Sequence, residues 1–123
     1  LAATGGQALT VDADGVYWWD YSQASSTPAP LLRVSLDGGA VTTLAMGDNA
    51  ATLWDLEVQQ HRLYWPSTGT GGGGVITVPT SGGAATMLVA SEAGNGTGAA
   101  IHGDNVYWTC SQRGMPRALL NFA

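Results

Sequence analysis

The dipeptide Tyr-Trp occurs three times in the chain, as Tyr17-Trp18, Tyr64-Trp65 and Tyr107-Trp108, each inside a short apolar run that follows a polar turn. The intervals are 47 and 43 residues. A second marker keeps the same beat: a Val followed by a short linker and Gly-Gly appears as Val34 to Gly39 and again as Val78 to Gly83, 44 residues apart. Two markers in one phase define an internal repeat. Units of this size cannot bury an apolar face alone, so they must stack against one another.

Laid in register, the repeats give up to four strand segments each, rich in β-branched and aromatic residues and separated by turn residues. The first unit offers Ala8 to Asp12, Gly15 to Tyr21, Leu31 to Leu36 and Val41 to Ala45. The second offers Thr52 to Val58, Arg62 to Trp65, Val75 to Pro79 and Ala85 to Ala90. The third offers Ala99 to His102, Asn105 to Cys110 and Arg117 to Phe122. Asp14-Gly15, Asp37-Gly38-Gly39, Ser81-Gly82-Gly83 and Gly103-Asp104-Asn105 are tight reversals, so consecutive strands pair antiparallel. A period in the forties with four such strands and no helical segment predicts an all-β chain of β-propeller blades. The expected organisation is residues 1–7 as the tail of a preceding blade, 8–50 and 51–96 as whole blades, and 97–123 as an incomplete one. That makes about two and three-quarter blades, a fragment of a longer chain or an open propeller completed by other copies.

The charge balance narrows the partners. Nine acidic residues face four arginines and no lysine, for a formal net charge of -5. Nucleic acid binding needs a basic stripe to release counterions, and four scattered arginines do not form one. Cys110 is the only cysteine, which excludes an intrachain disulfide and a cysteine-built zinc site. No apolar stretch approaches the roughly 20 residues needed to span a bilayer as a helix. Leu1 is not an initiator methionine and no leader pattern precedes the first repeat, so the start reads as processed, truncated or internal.

The repeated residues resemble the YWTD-type β-propellers, the six-bladed class that includes the low-density-lipoprotein receptor propeller and many secreted bacterial repeat proteins. The resemblance is carried by LTVDADGVYWWD with LLRVSLDGGAVTTLA, by LWDLEVQQHRLYWPS with VITVPTSGGAATMLVA, and by AAIHGDNVYWTC. It implies a propeller fold, and an extracellular, cell-surface or periplasmic setting. In that family an Asp closing the second strand ties neighbouring blades together. Asp20 keeps the place, while Ser67 and Cys110 stand there in the other two units. The resemblance therefore implies that packing of Trp18, Trp65 and Trp108 carries more of the contact between blades.

Candidate site residues are those outside the repeated positions. Trp19 and Trp54 are the candidates for an exposed aromatic. Asp55 and Glu57 alternate on one strand and so project to one face, as a cation site or an acid and base pair would require. His102 ends an innermost strand, near a propeller mouth. Asp12-Ala13-Asp14-Gly15 has alternate carboxylates like a calcium loop but lacks the glutamate at its twelfth position, and reads as a hairpin turn. His61 reads as a solvent-exposed turn residue. The longer stretches Ser22 to Pro30 and Ser67 to Gly74 vary between units and are the expected place for binding. No nucleophile elbow, phosphate-cradling loop or catalytic triad is present. The sequence thus predicts a non-enzymatic module that recognises protein or carbohydrate on a ring face, without cofactor or metal. An assembly subunit that self-associates through unpaired blade edges, and a lyase or hydrolase at the propeller mouth, are the alternatives.

Overall fold

Runs such as Val-Tyr-Trp-Trp-Asp and Gly-Val-Ile-Thr-Val-Pro place stiff, bulky side chains alternately on two faces, which suits a sheet buried on both sides. The computed structural model describes residues 6–20, 28–49, 55–67, 74–90, 96–110 and 116–121, and there every regular element is a strand. The first sheet is β1 (Gly6–Val11), β2 (Val16–Asp20), β3 (Pro28–Val34) and β4 (Thr42–Asn49). The second is β5 (Glu57–Gln59), β6 (Arg62–Ser67), β7 (Gly74–Pro79) and β8 (Thr86–Ala90). The third is β9 (Gly96–His102), β10 (Asn105–Cys110) and β11 (Pro116–Asn121). Strands follow chain order within each sheet, every neighbouring pair antiparallel. This is the expected all-β arrangement of antiparallel four-stranded units. The third sheet has three strands among the described residues.

Registers match the repeat. Val11 pairs Val16 and Tyr17 pairs Arg33 in the first sheet, and Val58 pairs Leu63 and Tyr64 pairs Thr77 in the second. Boundaries move by one to three residues for most strands; β1 begins at Gly6, ahead of the expected Ala8. The largest change is β5, expected over Thr52 to Val58 and observed as Glu57–Gln59. Residues 51–54 lie outside the described residues.

The core sits between sheets. Tyr17, Trp19, Ala29 and Leu31 of the first sheet pack with Leu56, Leu63, Trp65 and Val78 of the second unit. On the other side of the second sheet, Tyr64 and Val75 pack with Ala99, Val106 and Trp108 of the third. Strand alternation explains the division, because Leu63 and Trp65 point one way from β6 and Tyr64 the other. Trp19 and Trp65 meet edge to face, with centroids 5.2 Å apart and planes at 82°. Their indole N–H groups have no acceptor among the described residues, so this contact rests on apolar burial and ring geometry.

This corrects two expectations. Trp19 is not an exposed platform: it is fully buried. In the Trp18-Trp19 doublet one ring must go to each face, and the Trp19 face is the one the second sheet covers. For the same reason Trp19, rather than Trp18, meets Trp65, while Trp65 and Trp108 do pack between sheets.

Candidate functional site

A concavity lies between the first and second sheets, where their turns face each other. It is an open cleft of about 590 Å³ lined by Asp14, Arg33, Gln60, His61, Arg62, Pro79, Thr80 and Ser81. From the first sheet comes the β1–β2 turn. Asp12 Oδ1 accepts hydrogen bonds from Asp14 N at 2.8 Å, Gly15 N at 3.1 Å and the Tyr17 hydroxyl at 3.1 Å, closing the turn on itself. Gly15 lies against β3 so closely that a Cβ would sit 2.6 Å from the Val34 carbonyl oxygen. The turn is therefore pinned, and Asp14 projects toward the second sheet. Burial, aided by the Asp12 carboxylate, raises the Tyr17 phenol above its ordinary range.

From the second sheet comes the two-residue turn between β5 and β6. Gln60 and His61 have φ of 52° and 61°, as a type I′ hairpin turn requires. The third unit achieves its reversal with Gly103, at φ 59°. A left-handed backbone costs a residue with a Cβ about 1–2 kcal/mol, so Gln60 and His61 hold this shape against local preference. His61 O accepts from Thr80 N at 2.9 Å and from Thr80 Oγ1 at 3.2 Å, which fixes the β7–β8 turn beside it.

The two turns then meet. His61 Nδ1 lies 2.6 Å from Asp14 Oδ2. The Asp14 carboxylate raises the imidazole above its usual range, first through that hydrogen bond and then through its charge. Arg33 reaches across from β3, donating from Nη1 to Thr80 O at 3.0 Å and from Nη2 to Asp14 O at 3.2 Å. Arg62 is steadied by a bond from Nε to Thr77 Oγ1 at 3.1 Å. Asp12, Asp14 and His61 bring donor atoms within 4.8 Å of one another, but Asp12 Oδ1 holds three donors of its own and Asp14 Oδ2 holds His61. The expected hairpin reading of Asp12 to Gly15 accounts for this set.

Asp55, expected to lie on one strand with Glu57, precedes β5, which begins at Glu57. Asp55 Oδ1 accepts from Leu56 N at 3.0 Å and Asp55 Oδ2 from Ala99 N at 2.9 Å. Its carboxylate thus ties the second unit to β9 of the third. Glu57 is half-buried, and burial followed by the charge of Asp55 raises its carboxyl above the ordinary range. His102 is exposed at the end of β9, next to Gly103, whose carbonyl accepts from Gln59 Nε2 at 3.4 Å. Trp54 lies outside the described residues, as do most of the variable stretches between second and third strands.

Sequence reading took Asp14 and His61 as turn residues only, and did not weigh Arg33 or Thr80 as site residues. For one pair the signal was present: Asp14 and His61 are 47 residues apart, the interval between Tyr17 and Tyr64. Equivalent positions of adjacent repeats are neighbours in space. Asp55 to Ala99 and Gln59 to Gly103, each 44 apart, fall one residue past the 43-residue interval between Tyr64 and Tyr107.

The fold and its stacked antiparallel sheets define a partial β-propeller. A chain of a solved nidogen/laminin complex is similar over 94% of this chain, with a TM-score of 0.63 and 22% identity. The match covers 43% of that chain, so the present chain spans less than half the neighbour's length. No family model matches.

Proposed function

We propose that the chain is a non-enzymatic binding module, part of a YWTD-type propeller of the secreted bacterial kind, exported or displayed at the cell surface. It recognises a protein on the ring face formed by the turns. The observation that carries this reading is the open cleft, whose polar side chains are held by hydrogen bonds from two sheets before any ligand arrives. Such preorganisation lowers the ordering cost of association. The similar nidogen/laminin chain was solved in a complex of two proteins. Of the two aromatics expected to be exposed, Trp19 is buried and offers a sugar no platform. Against an enzyme, Asp55 is occupied by two backbone N–H groups and His102 stands apart from the cleft.

A photo-crosslinking side chain at Ser81, in the cleft, is expected to trap one protein from the surface fraction of the producing cell. The same group at the exposed Asp37 is expected to trap none. Equal labelling from both positions would defeat the reading, as would a turnover activity abolished by alanine at Asp55, Glu57 and His102.

One observation favours a second reading, an assembly subunit. Tyr17 and Tyr64 are buried between sheets, whereas the equivalent Tyr107 is 38% exposed, and Val11 and Met46 of the first sheet are more so. Copies that stack through such faces would bury them. Sedimentation of this chain as a monomer at tens of micromolar would remove that reading.

A further inference from the structure

Arg33 and Arg62 are two of four arginines in a chain without lysine, and both line the same cleft. Among the described residues neither is paired with a carboxylate. Arg33 is held by the carbonyls of Thr80 and Asp14, and Arg62 by the hydroxyl of Thr77. Carbonyl and hydroxyl acceptors orient a guanidinium without cancelling its charge. The cleft therefore presents two positioned cations on a protein whose net charge is -5. His61 engages the carboxylate of Asp14, which also lines the cleft. Ser81 adds an exposed hydroxyl at the rim.

We propose that this cleft takes a single carboxylate side chain, a Glu or Asp from a segment of a partner protein, received by the Arg62 and Arg33 guanidiniums. The proposal rests on the reading of the chain as a protein-binding module and names the chemistry of its partner. A guanidinium fork matches a carboxylate in two parallel hydrogen bonds. Asp12 and Asp14 back the cleft, and with the net negative charge they oppose a polyanion, whose charges repeat every few ångströms. One carboxylate flanked by neutral residues meets the two arginines without meeting that repulsion. The ring-like turn geometry supplies the position, and the missing carboxylate partners of Arg33 and Arg62 supply the charge preference.

The test is a chemical-shift titration of the intact, isotope-labelled chain with three probes. These are a blocked pentapeptide Ser-Gly-Glu-Gly-Ser, its Gln counterpart, and sodium sulfate. The Glu peptide is expected to shift the backbone amides of His61, Thr80 and Ser81 with a Kd of about 1 mM or tighter, and to lose affinity as salt rises. The Gln peptide is expected to leave them in place. Arg62→Gln should weaken the Glu peptide about tenfold, as loss of a charge-assisted pair predicts. Ser81→Asp, at an exposed position that leaves the fold intact, should abolish its binding. Equal binding of Glu and Gln peptides, unchanged binding by both variants, or sulfate binding as tightly as the peptide would each overturn the proposal. A protein partner crosslinked at Ser81 together with a silent Glu peptide would overturn this inference alone and leave the binding-module reading standing.

Discussion

The contact between the first and second sheets and the contact between the second and third are built from the same repeat, yet they are finished differently. Both begin with apolar side chains on facing sheets. The first adds an edge-to-face pair of tryptophans and a polar lattice at the turns, in which side chains from both units take part. The second is tied by Asp55 to the Ala99 amide and by Gln59 to the Gly103 carbonyl, so its receiving partners are backbone groups. Backbone partners are available at any residue, and both carboxylate oxygens of Asp55 are taken up by them. Where side chains from both units meet, their identity matters, and an open cleft with charged walls results. Stacking is common to both contacts. The proposed recognition site belongs to the first.

Replacing Trp19 by Ala is the change expected to damage the first contact most. Loss of a fully buried Trp costs about 3–5 kcal/mol, read by urea unfolding. Trp108→Ala should cost less by about 0.5–1.5 kcal/mol, the value of an aromatic pair beyond its area, because Trp108 forms no ring pair among the described residues. Equal losses would mean that the edge-to-face pair adds nothing. Asp55→Ala strikes the second contact instead. It strips the acceptor from the Ala99 and Leu56 amides and should cost about 1.5–3 kcal/mol, with hydrogen exchange at Ala99 accelerated more than at Thr80.

A gain is expected at the β5–β6 turn. Gln60→Gly relieves a positive φ at a residue with a Cβ and should stabilise by about 0.5–1 kcal/mol; a loss would show that the Gln60 side chain has a role of its own. The smallest effect concerns pH. His61 has its folded value raised above 6.5 by Asp14, so the stability it contributes is complete below 6.5 and is lost as pH rises through the folded value. The imidazole is 77% exposed, which keeps the effect small. Around it stand Asp12 and Asp14 from the β1–β2 turn, Arg33 from β3 and Arg62 from β6. Asp14→Asn should flatten the stability profile between about pH 6 and pH 8, and an unchanged slope would place the titration elsewhere.

Much of the fold was legible in the sequence because its signals are local. Val, Tyr and Trp in alternation specify strands, and the Gly-containing turns specify reversals. The burial of Trp65 and Trp108 followed from their repeated place. Trp19 misled because it breaks the repeat, and a departure from pattern resembles a functional residue. Its neighbour Trp18 already takes one face of β2, so Trp19 must take the other, the one the second sheet covers. Asp55 misled because its partner is the amide of Ala99, a donor that every residue but proline carries and no sequence pattern reveals. His61 looked isolated because its carboxylate lies one full repeat away.

By itself the sequence determined the period, the antiparallel strands within each unit and the alternation that gives every sheet two apolar faces. These depend on neighbouring residues and on covalent geometry that repeats every two positions. The tertiary structure alone decided which face meets which, that Asp14 reaches His61, and that Arg33 and Arg62 share one opening. Those contacts depend on how one sheet is placed and rotated against the next. That placement is set by the combined packing of Tyr17, Trp19, Leu63 and Trp65, so no single stretch of the chain contains it.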